Sequence, residues 1–540
     1  MILKIRRLLF YAIVLLALIG GGFGLRSPRW WWTLVVTGPL VLLGLWDIFQ
    51  RRHSVLRNYP LVGHLRFLLE DVGPELRQYM VESNTGGRPF NRDQRSLLYQ
   101  RAKNVPDQKP FGTELDVYEP GYFWINHSMA PTDPPKRPAE TIRITVGGPD
   151  CLQPYSASVL NISAMSFGAL GATGIRALNG GARLGGFAHN TGEGGVSPYH
   201  LEPGGDLVWQ IGTGYFGCRT PRGTFDPDQF VDRARLEQIR MIEIKISQGA
   251  KPGHGGVLPG AKVTPEIARV RGLPVGVDCI SPPYHSAFST PVELLEFVSR
   301  LRDLSRGKPV GFKLCLGEPT EFLAVCKAMI ETGVTPDFVV VDGAEGGTGA
   351  APLELSNYVG TPLHDGLRFV VNALTGSGVR DRIRIGASGK IMSGIWMAHA
   401  MAIGADWCNA ARSFMFGLGC IQAQRCHTNR CPVGVATQDP RLQRALDVRT
   451  KAERVYHLHR NTVEALAEVV AAAGLDHPTQ LTPHHIWTRI EEHRTQSLAE
   501  CYEFLEPGQF LEGRASERLQ AAWDAATPSS FRSTGATRVA

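Results

Sequence analysis

The chain opens with two stretches from which charged residues vanish. Leu8 to Leu25 carries no charge over 18 residues, and Trp30 to Trp46 carries none over 17. At 1.5 Å per residue, helices of that length reach about 25–27 Å, close to the roughly 30 Å hydrocarbon layer of a bilayer. Trp30, Trp31, Trp32 and Trp46 stand at the ends, where interfacial aromatics belong. Lys4, Arg6 and Arg7 precede the first stretch, Arg26 and Arg29 separate the two, and Arg51, Arg52 and Arg57 follow. This distribution predicts a transmembrane hairpin over residues 1–50 with both ends in the cytoplasm. The expected location is the inner (cytoplasmic) membrane, with the rest of the chain on the cytoplasmic side. A single span with an interfacial partner is the alternative. A cleaved signal peptide fits less well, because a second apolar stretch follows and no A-x-A site precedes it.

Residues 51–150 form a polar, Pro- and Arg-rich lead-in with short strand-like runs at 115–118 and 142–146. From 158 to about 415 the pattern becomes short apolar, β-branched runs separated by helix-length segments. The runs are Val159–Ser163, Ile242–Ile246, Val275–Ile280, Val310–Leu314, Phe338–Val341 and Ile383–Gly386, with weaker ones near Gly186–His189 and Trp407–Ala410. Apolar strands alternating with helices imply a parallel sheet covered on both faces, and about eight of them imply an α/β fold of the (β/α)8 TIM-barrel type. Most runs end in Gly, Ser, Lys or Asp, where the loops of a barrel's catalytic face begin. Amphipathic helices are expected over 440–475 and 484–505, and a loose tail after about 513. The reading thus divides the chain into 1–50, 51–150, a barrel over 151–445, and C-terminal helices and tail over 446–540.

Composition changes this picture little. The 540 residues are 43% hydrophobic and 20% charged, an ordinary globular balance, and the net charge is +7. No Lys/Arg tract is interleaved with aromatics, so no nucleic-acid partner is expected. The ten cysteines are scattered outside one loop, which is not a secreted disulfide framework and favours a reducing compartment.

That one loop reads Gly419-Cys420-Ile-Gln-Ala-Gln-Arg-Cys426-His-Thr-Asn-Arg-Cys431-Pro432. Three thiolates so spaced suit an iron–sulfur cluster, and three rather than four suggest 3Fe-4S. A Cys3His zinc site completed by His427, or three unligated core cysteines, stay open on spacing alone. Upstream, Asp342-Gly-Ala-Glu-Gly346-Gly347-Thr348-Gly349 and Gly386-Ala-Ser388-Gly389-Lys390 let backbone N–H groups approach an anion, as the last loops of barrels do for phosphate. Asn409, Ala410 and Arg412 follow the last strand and would complete such a site; ordinary tight turns are the alternative. Gly212-Thr-Gly-Tyr-Phe-Gly217 matches G-x-G-x-x-G, but Pro221 and Gly223 follow where a helix should run, so no dinucleotide fold is expected there. Gln248-Gly-Ala-Lys251-Pro-Gly and, twenty residues on, Arg271 offer an amide and two cations suited to a dicarboxylate or phosphate. Solvated surface charges are the alternative.

Taken together, Ser163-Ala-Met-Ser-Phe-Gly168, Asn190-Thr-Gly-Glu-Gly-Gly195, Gln248–Gly253, Ile280-Ser-Pro-Pro283, Gly346–Gly349 and Cys426-His-Thr-Asn-Arg-Cys-Pro-Val-Gly-Val-Ala-Thr-Gln438 resemble the FMN-binding synthase domain of glutamate synthase, in order over about 150–445. With the hairpin and lead-in, the chain resembles the membrane-associated, stand-alone FMN-binding glutamate synthase family proteins. The resemblance implies an oxidoreductase with FMN beside a 3Fe-4S cluster, reducing 2-iminoglutarate, formed from 2-oxoglutarate and ammonia, to L-glutamate. It implies that Cys420, Cys426 and Cys431 ligate the cluster, and that Ser163, Ala164, Met165 and Ser166 line the flavin ring with Lys313 at its edge. Gly346, Gly347, Thr348, Gly349, Gly386, Ser388, Gly389, Ala410 and Arg412 would hold the ribityl phosphate. Gln248, Lys251 and Arg271 would hold 2-oxoglutarate, and Lys313 and Glu193 would serve catalysis, Glu193 by orienting substrate or relaying a proton.

Three departures qualify that expectation. The chain starts Met1-Ile2-Leu3, without the terminal cysteine of a glutamine amidotransferase, so free ammonia or a partner's amine is the expected nitrogen source. No NAD(P)H fingerprint survives, so electrons are expected from a partner: ferredoxin, a flavoprotein or a membrane carrier. His254 stands where the large enzymes carry an acid, which leaves room for another keto acid or amine of N-alkylglutamate type. A rival from another class is a non-catalytic membrane electron-transfer subunit, which would have no use for a dicarboxylate clamp.

Overall fold

The computed structural model describes residues 7–532, so Lys4, Arg6 and the end of the tail fall outside the described residues. It divides into two compact units, residues 1–92 and 93–540.

In the first unit, helices α1 (Leu8–Gly24) and α2 (Trp31–Phe49) form an antiparallel pair. Glycines set its close approach: a Cβ at Gly44 would strike the Phe10 ring, one at Gly20 would strike Thr33, and one at Gly24 would crowd Trp31. Among the described residues one helix, Pro28–Phe49 with mean hydropathy 1.7, is long and apolar enough to cross a membrane; α1 is a shorter apolar helix. Two further helices follow, α3 (Ser54–Asn58) and α4 (Gly63–Leu76), the latter running on as a π-turn over Arg77–Val81.

The second unit is built on a closed barrel of eight parallel strands in sequential order. They are β1 (Leu160–Ile162), β2 (His189–Asn190), β3 (Leu207–Ile211), β4 (Ile239–Lys245), β5 (Val310–Leu314), β6 (Phe338–Asp342), β7 (Arg384–Ser388) and β8 (Trp407–Ala410). Closure comes from β8 pairing with β1, Asn409 opposite Asn161. The helices against it include α5 (Ala172–Gly185), α6 (Pro227–Ala234), α7 (Pro291–Leu304), α8 (Pro319–Thr332), α9 (Leu363–Gly376), α10 (Gly394–Ile403), α11 (Arg412–Leu418) and the long α12 (Val448–Ala472). A hairpin of Arg143–Val146 and Tyr155–Ser158 plugs the barrel floor, where Val146, Tyr155 and Ala157 pack with Val208, Met241, Phe338 and Trp407.

The eight-stranded barrel stands as expected, but one strand was misplaced. Val275–Ile280 is not in the barrel. Val275 and Val277 are exposed, Gly276 takes φ +74°, and only Cys279–Ile280 pairs, antiparallel, with Val257–Leu258. Its place is taken by β3, every residue of which is buried. Residues 484–505 are likewise not a helix. Ile486–Glu491 and Arg494–Ser497 form a β-hairpin, and the first strand pairs with Phe123–Ile125. The tail holds a helix, α13 (Glu517–Ala525), whose Trp523 stacks on Phe510 at 5.0 Å. In the lead-in, 115–118 is not a strand. No helix follows Gly212–Gly217 until Pro227, so the rejected dinucleotide motif is a turn.

Candidate active site at the barrel mouth

In β4, Ile242-Glu243-Ile244-Lys245 alternates, so Glu243 and Lys245 share the face turned into the barrel. Deep inside, Glu243 accepts from Asn190 Nδ2 at 2.8 Å and Gln210 Nε2 at 2.6 Å, and burial pushes its pKa up despite the nearby Lys313. One layer higher, Lys245 Nζ donates to Glu193 Oε1 at 2.8 Å. Glu193 follows β2 and sits where Gly212 and Gly256 leave no room for a Cβ. Burial would raise its pKa, but the Lys245 charge outweighs that, helped by Lys251 and Arg271, so the carboxylate is held below its ordinary value.

Lys313, on β5, is buried 3.5 Å from Asp342 Oδ2 at the end of β6. Burial alone would lower its pKa; Asp342, Glu243 and Glu193 outweigh it, and the ammonium is held above the lysine value. Asp342 Oδ2 also accepts from Gly249 N at 3.0 Å, tying the β4 loop to β6. The two backbones touch there: a Cβ at Gly249 would overlap the carbonyl of Gly343. Lys251 is buried, donates to Ala350 O at 3.3 Å, and has its pKa pushed down to about 8 by burial and by Lys245. Gln248 is half-buried on the same loop. Arg271 ends a short helix, Pro265–Arg271. It runs under the β1 loop, donating to Phe167 O at 3.1 Å and reaching Ser166 Oγ at 3.4 Å, while its Nε–H has no hydrogen-bond partner among the described residues. Glu193, Lys251, Arg271 and Lys313 are therefore neighbours. Lys245, Asp342 and Glu243 join them: Lys245 and Asp342 are the Lys and Asp strand ends expected at the barrel's catalytic face, without an assigned role, and Glu243 was missed. A charged residue at every second position of an otherwise apolar strand was the signal for two of these.

Ser163, Ala164, Met165 and Ser166 form the loop after β1. Ser163 N donates to Ala410 O at 2.9 Å, Met165 N donates to Asn190 O at 3.2 Å, and Ser163 Oγ lies 3.5 Å from Ser388 Oγ. Gly343 N donates to Ser388 O at 2.7 Å, so the loops after β6 and β7 stand side by side. Gly389, with φ +150°, abuts Gly343 N. Arg412, at the start of α11, donates to Glu345 O at 2.7 Å and fills the space a Cβ at Gly347 would need. Gly346, Gly347, Thr348 and Gly349 are partly or fully exposed beside it. Gly386 lies within β7, where its missing side chain makes room for Trp407. Glycine backbone, serine hydroxyls and a guanidinium make a donor set suited to a phosphate-bearing cofactor such as FMN, and the fixed Lys313 cation suits a ring that takes up negative charge.

The cysteine loop follows α11. Cys426 and Cys431 each act electrostatically on Cys420, and Gln422 N–H points at Cys420 Sγ at 3.4 Å. Burial pushes the Cys420 thiol up to about 12, so a thiolate there depends on a bound metal. Among the described residues no three His, Cys, Asp or Glu groups are gathered around a single-ion site, and His427 is exposed, which does not favour a Cys3His zinc site. Lys262 was missed. Fully buried, its ammonium donates to Ala169 O, to Cys426 O at 3.3 Å and to Ala436 O at 3.3 Å, joining the β1 loop to the cysteine loop.

Comparison with known proteins settles the kinship. The family profile "Conserved region in glutamate synthase" matches residues 152–476. The chain belongs to the glutamate synthase family. A glutamate synthase large subunit-like protein of Bacillus subtilis (strain 168) is 38% identical over 499 residues, 85% of this chain and 94% of that protein. The archaeal glutamate synthase [NADPH] of Methanocaldococcus jannaschii is 37% identical over 318 residues, but the match spans only 58% of this chain and 59% of that enzyme. Among solved structures, a mandelate oxidase complex aligns at TM-score 0.41 and 16% identity, over 75% of this chain and 99% of its own.

Proposed function

We propose that this chain is an oxidoreductase acting on CH–NH2 groups that reduces 2-iminoglutarate, formed from 2-oxoglutarate and ammonia, to L-glutamate. The observation that carries this is the group of cations around Glu193: Lys245 in contact with it, with Lys251, Arg271 and Lys313 bearing on the same carboxylate. Four cations against the carboxylates of Glu193, Asp342 and the buried Glu243 leave an excess of positive charge, which suits a dicarboxylate. Lys251 and Arg271 would grip the two carboxylates. The Glu193 carboxylate, kept ionised by Lys245, would favour the positive iminium form of the substrate. FMN, when bound on Ser163–Ser166, Ser388–Gly389 and Arg412, supplies the hydride. Lys313 would favour negative charge at the ring edge, and a 3Fe-4S cluster on Cys420, Cys426 and Cys431 would pass electrons from a partner protein. We place α1 and α2 in the cytoplasmic membrane with the barrel on the cytoplasmic side.

The test is anaerobic. The full chain, purified in detergent and reduced with dithionite, is mixed with 2-oxoglutarate, with and without ammonium. Flavin reoxidation that requires both substrates and yields one glutamate per flavin is expected. Flavin that stays reduced with both present would overturn the reading.

A further inference from the structure

The first unit carries an apolar surface that the hairpin does not account for. At 3.6 residues per turn, Leu65, Leu68, Leu69, Val72 and Leu76 fall in a sector roughly 100° wide along α4, and Tyr79 and Met80 follow on its π-turn. All seven are exposed. Arg66, Glu70 and Arg77 lie outside the sector on one flank, and His64, Asp71 and Glu75 on the other; Arg66 Nε pairs with Glu70 at 2.7 Å. A continuous apolar stripe of this size is not left to water without a purpose.

Two further observations choose its occupant. Asp47, fully buried in the last turn of α2, accepts from Leu61 N at 2.9 Å and from the His64 ring at 2.9 and 3.0 Å. α4 therefore starts beside the end of the apolar helix. It packs at its start on α3. It cannot itself cross hydrocarbon, because Arg66, Glu70, Asp71, Glu75 and Arg77 fall within 12 residues. Secondly, the same end of the hairpin is basic. Arg7 donates to Arg57 O at 3.2 Å, and Arg51, Arg52 and Arg57 are exposed around it.

We infer that α4 and its π-turn lie in the plane of an anionic lipid surface, apolar sector down among the acyl-chain ends, while the four arginines meet lipid headgroups. This inference rests on the placing of α1 and α2 in the bilayer. The membrane contact is then a span plus a surface float, rather than a span alone.

A photoreactive benzoylphenylalanine is introduced, one site at a time, at Val36, Leu69 and Glu70 of the full chain, reconstituted in vesicles of zwitterionic and anionic phospholipid. Each variant is first checked for the wild-type elution profile. After illumination, intact-protein mass spectra are expected to show a shift of one phospholipid at Val36 and at Leu69, with loss of that shift at Glu70. A lipid adduct at Val36 but none at Leu69 overturns the inference and leaves the hairpin standing. A cross-linked dimer at Leu69 overturns it in favour of a second copy of this chain. Absence of lipid adducts at both positions removes the hairpin reading as well.

Discussion

At Lys251, burial and the neighbouring Lys245 charge leave a pKa of about 8, so the amine loses its proton just above neutral pH. A neutral amine has no charge to offer a carboxylate. kcat/KM for 2-oxoglutarate is therefore expected to fall above that pH by about tenfold per pH unit, and Lys251→Arg to remove the fall at the cost of a higher KM. The sign for folding is the reverse. Between about pH 8 and the ordinary value of 10.5 the unfolded chain binds more protons than the folded one, so this residue makes stability rise with pH across that window. Denaturant midpoints of Lys251→Met should lack that rise. Glu193 and Lys245 form a pair that each needs the other. Glu193→Gln strands a buried ammonium and is expected to cost about 3–5 kcal/mol. Glu193→Gln with Lys245→Met should cost less than Glu193→Gln alone, which a double-mutant cycle by urea unfolding would read. Lys251, Arg271 and Lys313, the cations of the proposed site, were legible: Lys251 in a glycine-rich loop, Arg271 twenty residues on, and Lys313 by the family resemblance. Lys245 was legible as a strand end at the catalytic face, and Glu243 only by alternation within β4. Asp342 was quoted as the head of a glycine loop, and its tie to Gly249, 93 residues away, exists only in three dimensions.

Among elements, the connection through Lys262 matters most, because one ammonium holds carbonyls of three segments: Ala169 in the loop after β1, Cys426, and Ala436. Lys262→Met should leave these buried acceptors unmatched, at about 1–3 kcal/mol, and speed amide hydrogen exchange over 420–436 more than elsewhere. On the proposed cluster reading, iron content after a chelator challenge should fall with it. Nothing in the sequence flagged Lys262, a lysine just past a Leu-Pro-Gly turn, as anything but a surface charge. Val275–Ile280 was misread for the opposite reason. Its valines and isoleucine look like strand, but Gly276 in the left-handed region breaks the run and leaves Val275 and Val277 outside the core. The 486–497 hairpin was misread as helix because its second half is charged and its pairing partner, Phe123–Ile125, lies some 360 positions earlier. Local pattern cannot weigh a pairing of that range.

On the scale of the whole molecule, residues 1–92 and 93–540 form separate compact units, which gives a further prediction. A chain beginning at Asp93 is expected to keep the barrel's cooperative melting and lose sedimentation with membrane vesicles, as calorimetry and flotation would show. The apolar hairpin was plain in the sequence, whereas α4's stripe was not, since its charges hid it within a stretch read as polar lead-in. The closure of the barrel has its own consequence for synthesis. Strand β1 finds its second neighbour only when β8, nearly 250 residues later, has been made, and Phe123–Ile125 finds its partner only after Ile486–Glu491. During synthesis the parallel sheet is therefore an open curl with a bare edge until β8 has been made. For most of translation, then, the growing chain exposes an unpaired β-edge, a template for pairing with other chains, and any shielding belongs to that interval rather than after release.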